Sequence, residues 1–463
     1  MELRSVRARG TAAALLLFGL LSCGGASAAE LSLEDCLAVA LETHPSLMGA
    51  AGRRLGAETT LETLRVNDRV TVSATGAVRY NGSLDDTDDR YHSESAGITA
   101  SKLLYDTGKN RLRKEAQKET IQGMKENERY TRVSVAASVK RAYFKLVLSI
   151  LNQGVETERL NNFLEHLKTA QGLYDVGKSP FIDVTQAEAN AADARVSLLK
   201  AENDVQVSRE ALYQAMGART EDAAEPTTAL SLPQSAGDAE GLIATDLEER
   251  PDYLQALSTL RVRELGVRSA ARTSSPSITA TAGPSFSNSE NSSSSTNYSV
   301  GVSVNIPVAD GGLAAAEVMT AKGQVYQASA DVESLRNDIA YGVRSAALSL
   351  TNAVDRAESA EKSVRYAEEN LELARGRYEV GVGSPLELSD AVSSLASARY
   401  ARYQALYDAQ AARADLDEAI GRLPSETEGM EIKEINLREM INSKSDKSER
   451  EQKDREGKKN EDR

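Results

Sequence analysis

The sequence contains no tryptophan, only two cysteines and only three histidines among its 463 residues. So few cysteine and histidine side chains exclude an array of zinc fingers and a scaffold held together by disulfides. Basic residues are also in deficit, because 55 lysines and arginines face 69 acidic residues and the formal net charge is -14. A nucleic-acid-binding protein needs a basic face for phosphates, so the charge argues against that class.

A transmembrane helix is also missing from the sequence pattern, because no apolar run of about 18 residues follows the N-terminal segment. That segment places Arg4, Arg7 and Arg9 before a short apolar stretch over residues 11–21. This order is typical of an export signal, so we predict that residues 1–28 are a signal peptide.

Two processing sites compete at the end of this signal. Ala26-Ser27-Ala28 is a small-residue cleavage site that gives a mature chain starting at Ala29. Leu20-Leu21-Ser22-Cys23 resembles a bacterial lipobox, which would place a lipid on Cys23. Both alternatives export the chain.

The remainder of the chain contains an internal sequence repeat, with two copies of one structural unit. Equivalent residues recur 204 positions apart, as in Gly97/Gly301, Asp106/Asp310, Gly108/Gly312, Tyr174/Tyr378 and Gly217/Gly421. We therefore predict a first structural repeat over residues 29–217, a linker over residues 218–239 and a second repeat over residues 240–421. Residues 422–463 include a densely charged tail that cannot bury apolar surface, and we predict that it is mostly disordered.

Each repeat follows the same order of predicted elements. A helix, over about residues 33–64 or 241–271, precedes two strands in which apolar and small polar side chains alternate. Polar segments between the strands, residues 81–94 and 287–297, are expected to be loops. A helix about 100 Å long follows over residues 108–176 and 312–380. After a tight turn, a shorter helix over about residues 182–216 or 386–420 runs back along it.

In this order, the motifs resemble the TolC-type outer membrane efflux proteins. The resemblance covers residues 31–421 and is carried by Leu31-Ser32-Leu33-Glu34-Asp35, by Pro307-Val308-Ala309-Asp310-Gly311-Gly312, and by the two Tyr-x-x-Gly turns that begin at Tyr174 and Tyr378. It implies an α+β membrane protein with TolC-like long antiparallel α-helical hairpins and four β-strands per chain. In the family, a homotrimer forms a shared twelve-stranded β-barrel and a twelve-helix periplasmic tunnel.

The resemblance also implies partners and site residues. The partners are a periplasmic adaptor (membrane fusion) protein, an inner-membrane pump and outer membrane lipid, at the cell outer membrane with a long periplasmic extension. Glu387 and Asp390 match carboxylates that ring the periplasmic entrance of family members. Tyr378 and Asp183 match a latch that holds the entrance closed, whereas the arginine of a second latch is replaced here by Gly383.

In the family, the tip of the adaptor's helical hairpin approaches grooves at the tunnel mouth, so the resemblance implies that the turn glycines Gly177 and Gly381 mark the adaptor-docking tips. Each ends a long helix, where glycine adopts a left-handed conformation at no steric cost and leaves a shallow groove.

No group of His, Cys and carboxylate side chains has the spacing of a catalytic or metal site, so we predict no enzyme activity, no cofactor and no metal. The predicted function is the outer membrane channel of a tripartite efflux or type I secretion system, a passive gated exit duct for drugs, metals or proteins. The alternative is an exported coiled-coil structural or adhesive protein without channel activity. The alternating strands favour the channel, because a coiled-coil rod does not need them.

Overall fold

A computed structural model of the chain describes residues 30–81, 91–218, 225–234, 241, 247–289, 292–380 and 382–427. The predicted signal peptide with Cys23, the turn glycine Gly381 and the tail from residue 428 lie outside the described residues. The described helices are α1 (Leu33–Thr43), α2 (Pro45–Val66), α3 (Lys109–Asp175), α4 (Phe181–Met216), α5 (Pro251–Ala270), α6 (Leu313–Glu379) and α7 (Pro385–Ile420). The described strands are β1 (Glu30–Leu31), β2 (Thr71–Asn81), β3 (Tyr91–Tyr105), β4 (Glu225–Pro226), β5 (Ser277–Ser289) and β6 (Ser292–Asn305).

The two long helices, α3 and α6, each contain 67 residues, and their antiparallel partners α4 and α7 each contain 36. At 1.5 Å per residue, a helix of this length extends about 100 Å. Such a helix is stable only when partners cover it. α4 and α2 pack along α3, α7 and α5 pack along α6, and both α5 and α7 also contact α3. Two long hairpins therefore lie side by side, and the prediction of long hairpins with four main strands is confirmed.

The first predicted helix divides into two at His44. The residue before a proline avoids the helical region, and His44 has an extended backbone with φ -62° and ψ 130°. It ends α1 and caps α2, because its Nδ1 accepts a hydrogen bond of 3.2 Å from the Ser46 N–H. In the second repeat, Pro251 begins α5 directly after a short 3₁₀ turn at Leu247–Glu249, so this helix is shorter than expected.

The four long strands form one antiparallel sheet in the order β2-β3-β5-β6. Residues that face each other across antiparallel strands share one side of the sheet. Val72 pairs with Ala100, Ala100 with Ala282, and Ala282 with Val300, so one side is apolar across all four strands. In the single chain Val72 is 67% exposed and Val300 is 80% exposed, so this side has no cover from the chain itself.

The expected loop over residues 287–297 is wrong, because β5 and β6 together extend over most of it. In the first repeat β3 already begins at Tyr91, and residues 82–90 of the expected loop lie outside the described residues. Serine-rich sequence supports strand pairing here because the serine hydroxyls of the two strands form hydrogen bonds with one another across the hairpin. The hydroxyl oxygens of Ser287 and Ser295 are 2.9 Å apart.

The main apolar core lies where α1, α3 and α4 meet, near the middle of the hairpin. Tyr143 of α3 is fully buried there, in the same cluster as Leu37 and Met216. Its hydroxyl donates to the Leu31 carbonyl at 3.0 Å and accepts from the Thr228 N–H at 2.9 Å. This tyrosine therefore fixes the short parallel pair of β1 and β4 to the long helix.

Within the described ranges, no helix is both long and apolar enough to cross a membrane.

Candidate functional site

The site that the sequence singled out lies at the tips of the hairpins, at the end of α3 and α6 away from the sheet. At the first tip, α3 ends at Asp175 and α4 begins at Phe181. Gly177 has φ 73°, its N–H donates to the Tyr174 carbonyl at 2.9 Å, and the Lys178 N–H donates to the Leu173 carbonyl at 2.8 Å. This is a Schellman turn, which needs a left-handed residue at this position. A Cβ on Gly177 would have no neighbour within 4 Å, so the turn is open to its surroundings.

The second tip differs in its contacts. Gly381 lies outside the described residues, but the N–H groups of Val382 and Gly383 both donate to the Arg377 carbonyl, at 2.9 and 2.8 Å. A Cβ on Gly383 would lie 2.9 Å from the Tyr378 backbone nitrogen. The glycine that replaces the family's latch arginine therefore has a steric reason, since no side chain fits between it and the helix end.

The two predicted entrance carboxylates are exposed on the first turns of α7, three residues apart on one helix face. Glu387 forms an ion pair with Arg377, with 3.1 Å between Oε1 and Nε. Asp390 has no ion pair with another residue of the described ranges. The pair with Arg377 was not apparent from the sequence, because it depends on how the second tip closes.

The two predicted latch residues lie at the junction of the two hairpins. Tyr378 of α6 is 6% exposed, and burial together with the charge of Asp183 raises the pKa of its phenol. Asp183, in the first turn of α4, accepts a hydrogen bond of 2.5 Å from the Ser179 hydroxyl. Among the described residues the Tyr378 hydroxyl has no hydrogen-bond partner, so the two residues are neighbours without a direct bond.

A third residue, which the sequence did not single out, completes this junction. His166 of α3 is 4% exposed, and its ring centroid is 5.1 Å from that of Tyr378 at an interplanar angle of 57°. The signal for its burial is helical periodicity, since Leu160, Phe163 and Ala170 of α3 are buried around it.

Polar contacts also join the two hairpins of one chain near the tips. Arg399 of α7 bonds to Glu158 of α3 and to Glu368 of α6, and Arg375 of α6 donates to the Asn162 side chain at 2.9 Å. Asn190 of α4 donates to the Ser389 hydroxyl of α7 at 3.1 Å. The tips of one chain are thus held against each other along several turns of helix.

No group of three or more His, Cys, Asp and Glu residues in the described ranges is placed to hold a metal ion. The described cysteine, Cys36, is fully buried in the α1 core, and burial raises the pKa of its thiol to about 12. A thiol that stays protonated is a poor nucleophile and metal ligand, so Cys36 acts as a small core residue.

Comparison with known proteins connects this architecture to one family. The family model described as "Outer membrane efflux protein" matches residues 37–218 and again residues 242–422. The outer membrane efflux protein BepC of Brucella suis is 25% identical over 449 residues, which cover 94% of this chain and 95% of BepC. The probable outer membrane lipoprotein SilC of Salmonella typhimurium is 24% identical over 365 residues, 76% of this chain and 77% of SilC.

A solved structure gives the same fold. The crystal structure of the Campylobacter jejuni CmeC outer membrane channel superposes with a TM-score of 0.74 at 17% identity, covering 88% of this chain and 90% of CmeC. The family consists of passive channels of tripartite efflux systems, which confirms the prediction that the chain is not an enzyme. With two matches that together span most of its length, the chain belongs to the outer membrane efflux protein family.

Proposed function

We propose that three copies of this chain assemble into one gated channel, with the sheets joined into a twelve-stranded barrel in the outer membrane and the hairpins forming a periplasmic tunnel. One observation carries the proposal: the described sheet has two unpaired edges, β2 and β6, and an exposed apolar side. Lipid tolerates neither an open sheet edge nor an unsatisfied backbone group, so neighbouring copies must pair β6 of one chain with β2 of the next.

The assembly is tested by expressing the full chain and separating membrane fractions. We expect it in the outer membrane, as a species that migrates as a trimer and dissociates on heating, and as a conducting channel in planar bilayers. A processed chain that remains monomeric in the periplasmic fraction would instead support the exported coiled-coil alternative.

The carboxylates Glu387 and Asp390 are proposed to line the periplasmic entrance, with Tyr378 and Asp183 as part of its latch. Rings of acidic side chains attract cations at a constriction. The pairing of Glu387 with Arg377 places a positive charge beside one of the two rings, so Asp390 supplies the uncompensated ring.

This charge assignment gives two opposite variants for one measurement, cation selectivity in planar bilayers. The double variant Glu387→Ala, Asp390→Ala is expected to lower the selectivity for cations, whereas Arg377→Ala frees Glu387 and is expected to raise it. If neither variant changes selectivity while channels still form, these side chains line no constriction.

Adaptor docking is proposed at the tips marked by Gly177 and Gly381. Support comes from apolar side chains that both tips expose to solvent beside the turns: Val176 is 66% exposed, Ile182 71%, Val380 74% and Leu386 69%. Exposed apolar side chains grouped at one end of a molecule favour a protein contact there.

The docking proposal is tested with the double variant Gly177→Asn, Gly381→Asn. Asparagine tolerates the left-handed conformation but fills the groove, so trimers should assemble while export and adaptor cross-linking fall. Gly266→Asn is the matched control, because this helical glycine of α5 also has no neighbour within 4 Å of a Cβ but lies far from the tips. Wild-type export and cross-linking in the double variant would make the two glycines helix terminators alone.

A further inference from the structure

His166 is an ionisable side chain enclosed at the contact between the two hairpins of one chain. Its imidazole is 4% exposed and packs against the Tyr378 ring at 5.1 Å. Neither Nδ1 nor Nε2 has a hydrogen-bond partner among the described residues. Buried polar atoms are normally bonded, so two free ring nitrogens in one buried imidazole require an explanation.

The groups that surround the imidazole differ from helix to helix. α4 contributes the carboxylate of Asp183 and α6 contributes the phenol of Tyr378. Tyr378 in turn belongs to a buried apolar cluster that includes Leu388 and Ala391 of α7. On α3 itself the adjacent Glu165 is occupied at the surface by Arg375.

Burial is the dominant influence on this histidine. It lowers the pKa of His166, and the nearby charge of Asp183 opposes that shift without cancelling it. The Tyr378 phenol stays protonated near neutral pH because burial and Asp183 raise its pKa. At neutral pH the contact between α3 and α6 therefore encloses an uncharged imidazole.

We propose that His166 is a proton-sensitive contact in the entrance, where protonation in acid weakens the packing of α6 on α3 and shifts the channel toward its open state. The inference rests on the proposed entrance at the hairpin tips. A charged imidazolium with no hydrogen-bond acceptor in contact is costly inside an apolar cluster, and separation of the hairpins lets water reach it.

The sign of the pH dependence follows from the two states. In the open state the imidazole is solvated and has an ordinary pKa of about 6.5, whereas in the closed state its pKa is lower. Closure is therefore fully favoured above about pH 6.5 and weakens as the pH falls below that value. For each unit that separates the two pKa values, the ratio of open to closed states rises up to about tenfold per chain.

The test measures the open probability of the full-length protein in planar bilayers from about pH 7.5 to about pH 5.5, a range in which ordinary carboxylates remain ionised. The wild type should open progressively across this range. His166→Asn, which keeps a polar side chain without a titrating proton, should remove the response. Asp183→Asn should shift the response to higher pH, because the charge that favours the imidazolium in the closed state is gone. His92→Asn, in strand β3, is the matched histidine control and should respond like the wild type.

The outcomes separate this inference from the channel proposal. An undiminished pH response in His166→Asn overturns the role of His166, as does a wild type whose open probability does not change across the range. Absence of channels at every pH in the wild type contradicts the channel proposal itself. If His166→Asn does not assemble, His166→Gln replaces it, and the midpoint pH of the opening response is also measured in Asp183→Asn. A midpoint pH equal to that of the wild type in Asp183→Asn overturns the proposal.

Discussion

The two long helices have the same length and the same place in their repeats, yet they are buried very differently. α3 buries 23 of its residues within the described chain, whereas α6 buries 11. α3 is covered by α1, α2, α4, α5 and α7, whereas α6 packs mainly against α5 and α7 and meets α3 near the tips, as at His166 and Tyr378. The long helix of the first repeat is thus covered by its own chain, whereas the long helix of the second repeat leaves one side exposed.

The exposed side of α6 shows what is missing. It presents large apolar side chains at helical spacing: Tyr341 is 74% exposed, Leu348 72% and Leu373 67%. The first repeat also leaves apolar side chains uncovered on α4, where Val196 is 66% exposed and Val207 61%. Faces of this kind are complementary if α6 of one copy packs against α4 of the next, as a closed ring requires.

Truncation of one tyrosine in each long helix tests the difference in burial between α3 and α6 most directly. Tyr143→Ala in α3 should lower the free energy of unfolding by about 3–5 kcal/mol, because it empties a fully buried site. Tyr341→Ala in α6 should change the stability of the single chain by less than about 0.5 kcal/mol. Urea unfolding of the monomeric chain, followed by circular dichroism, measures both. Equal losses would show that the two helices are equally buried before assembly.

For trimer assembly, in contrast to the stability of the single chain, substitutions on the exposed side of α6 should have the larger effect. The double variant Tyr341→Asp, Leu348→Asp should fold with the wild-type helix content but form few heat-dissociable trimers, since each apolar side chain buried at the interface contributes about 2 kcal/mol. Met48→Asp, at a partly exposed position of α2, serves as a charge control. A normal yield of trimers in the double variant would place the interface elsewhere.

The smallest expected effects are those of alanine substitutions at two glycines of the second tip. Gly383→Ala should destabilise the tip by about 1–3 kcal/mol, because the added Cβ would meet the Tyr378 backbone nitrogen at 2.9 Å. Gly376→Ala, in the last turns of α6 with no neighbour within 4 Å, should stabilise the helix by about 0.5–1 kcal/mol. Limited proteolysis at the tip resolves the two, with faster cleavage expected only for Gly383→Ala.

The sequence was most informative where the physics is local. The ends of α3, α4, α6 and α7 were predicted to within about one residue, because glycine turns and proline starts mark them directly. The composition around Ser287 and Ser295 indicates loops, whereas the structure has strand ends there, because their stability comes from hydrogen bonds to a partner strand.

The candidate site was predictable only in part. Glu387, Asp390, Tyr378 and Asp183 do lie near the tips, as their place in the repeat indicated. The roles of His166 and Arg377 could not be read from spacing, because each depends on a neighbour that the fold brings from another helix or across a turn. Gly383 is a third case, since its steric constraint arises only when the second tip closes.

The hydrogen bond between the Tyr143 hydroxyl and the Leu31 carbonyl fixes the position of Leu31 on α3, and this position limits how far a lipid on Cys23 could reach. Tyr143 lies 35 residues along the chain from Gly108, at the sheet end of α3, which places Leu31 about 50 Å from that end. Leu31 is eight residues along the chain from Cys23, and even a fully extended segment of that length reaches only about 28 Å. If the sheet lies in the bilayer, a lipid on Cys23 would fall short of it by about 20 Å. On that placement of the sheet, the distance is matched better by cleavage after Ala28 than by a lipid on Cys23.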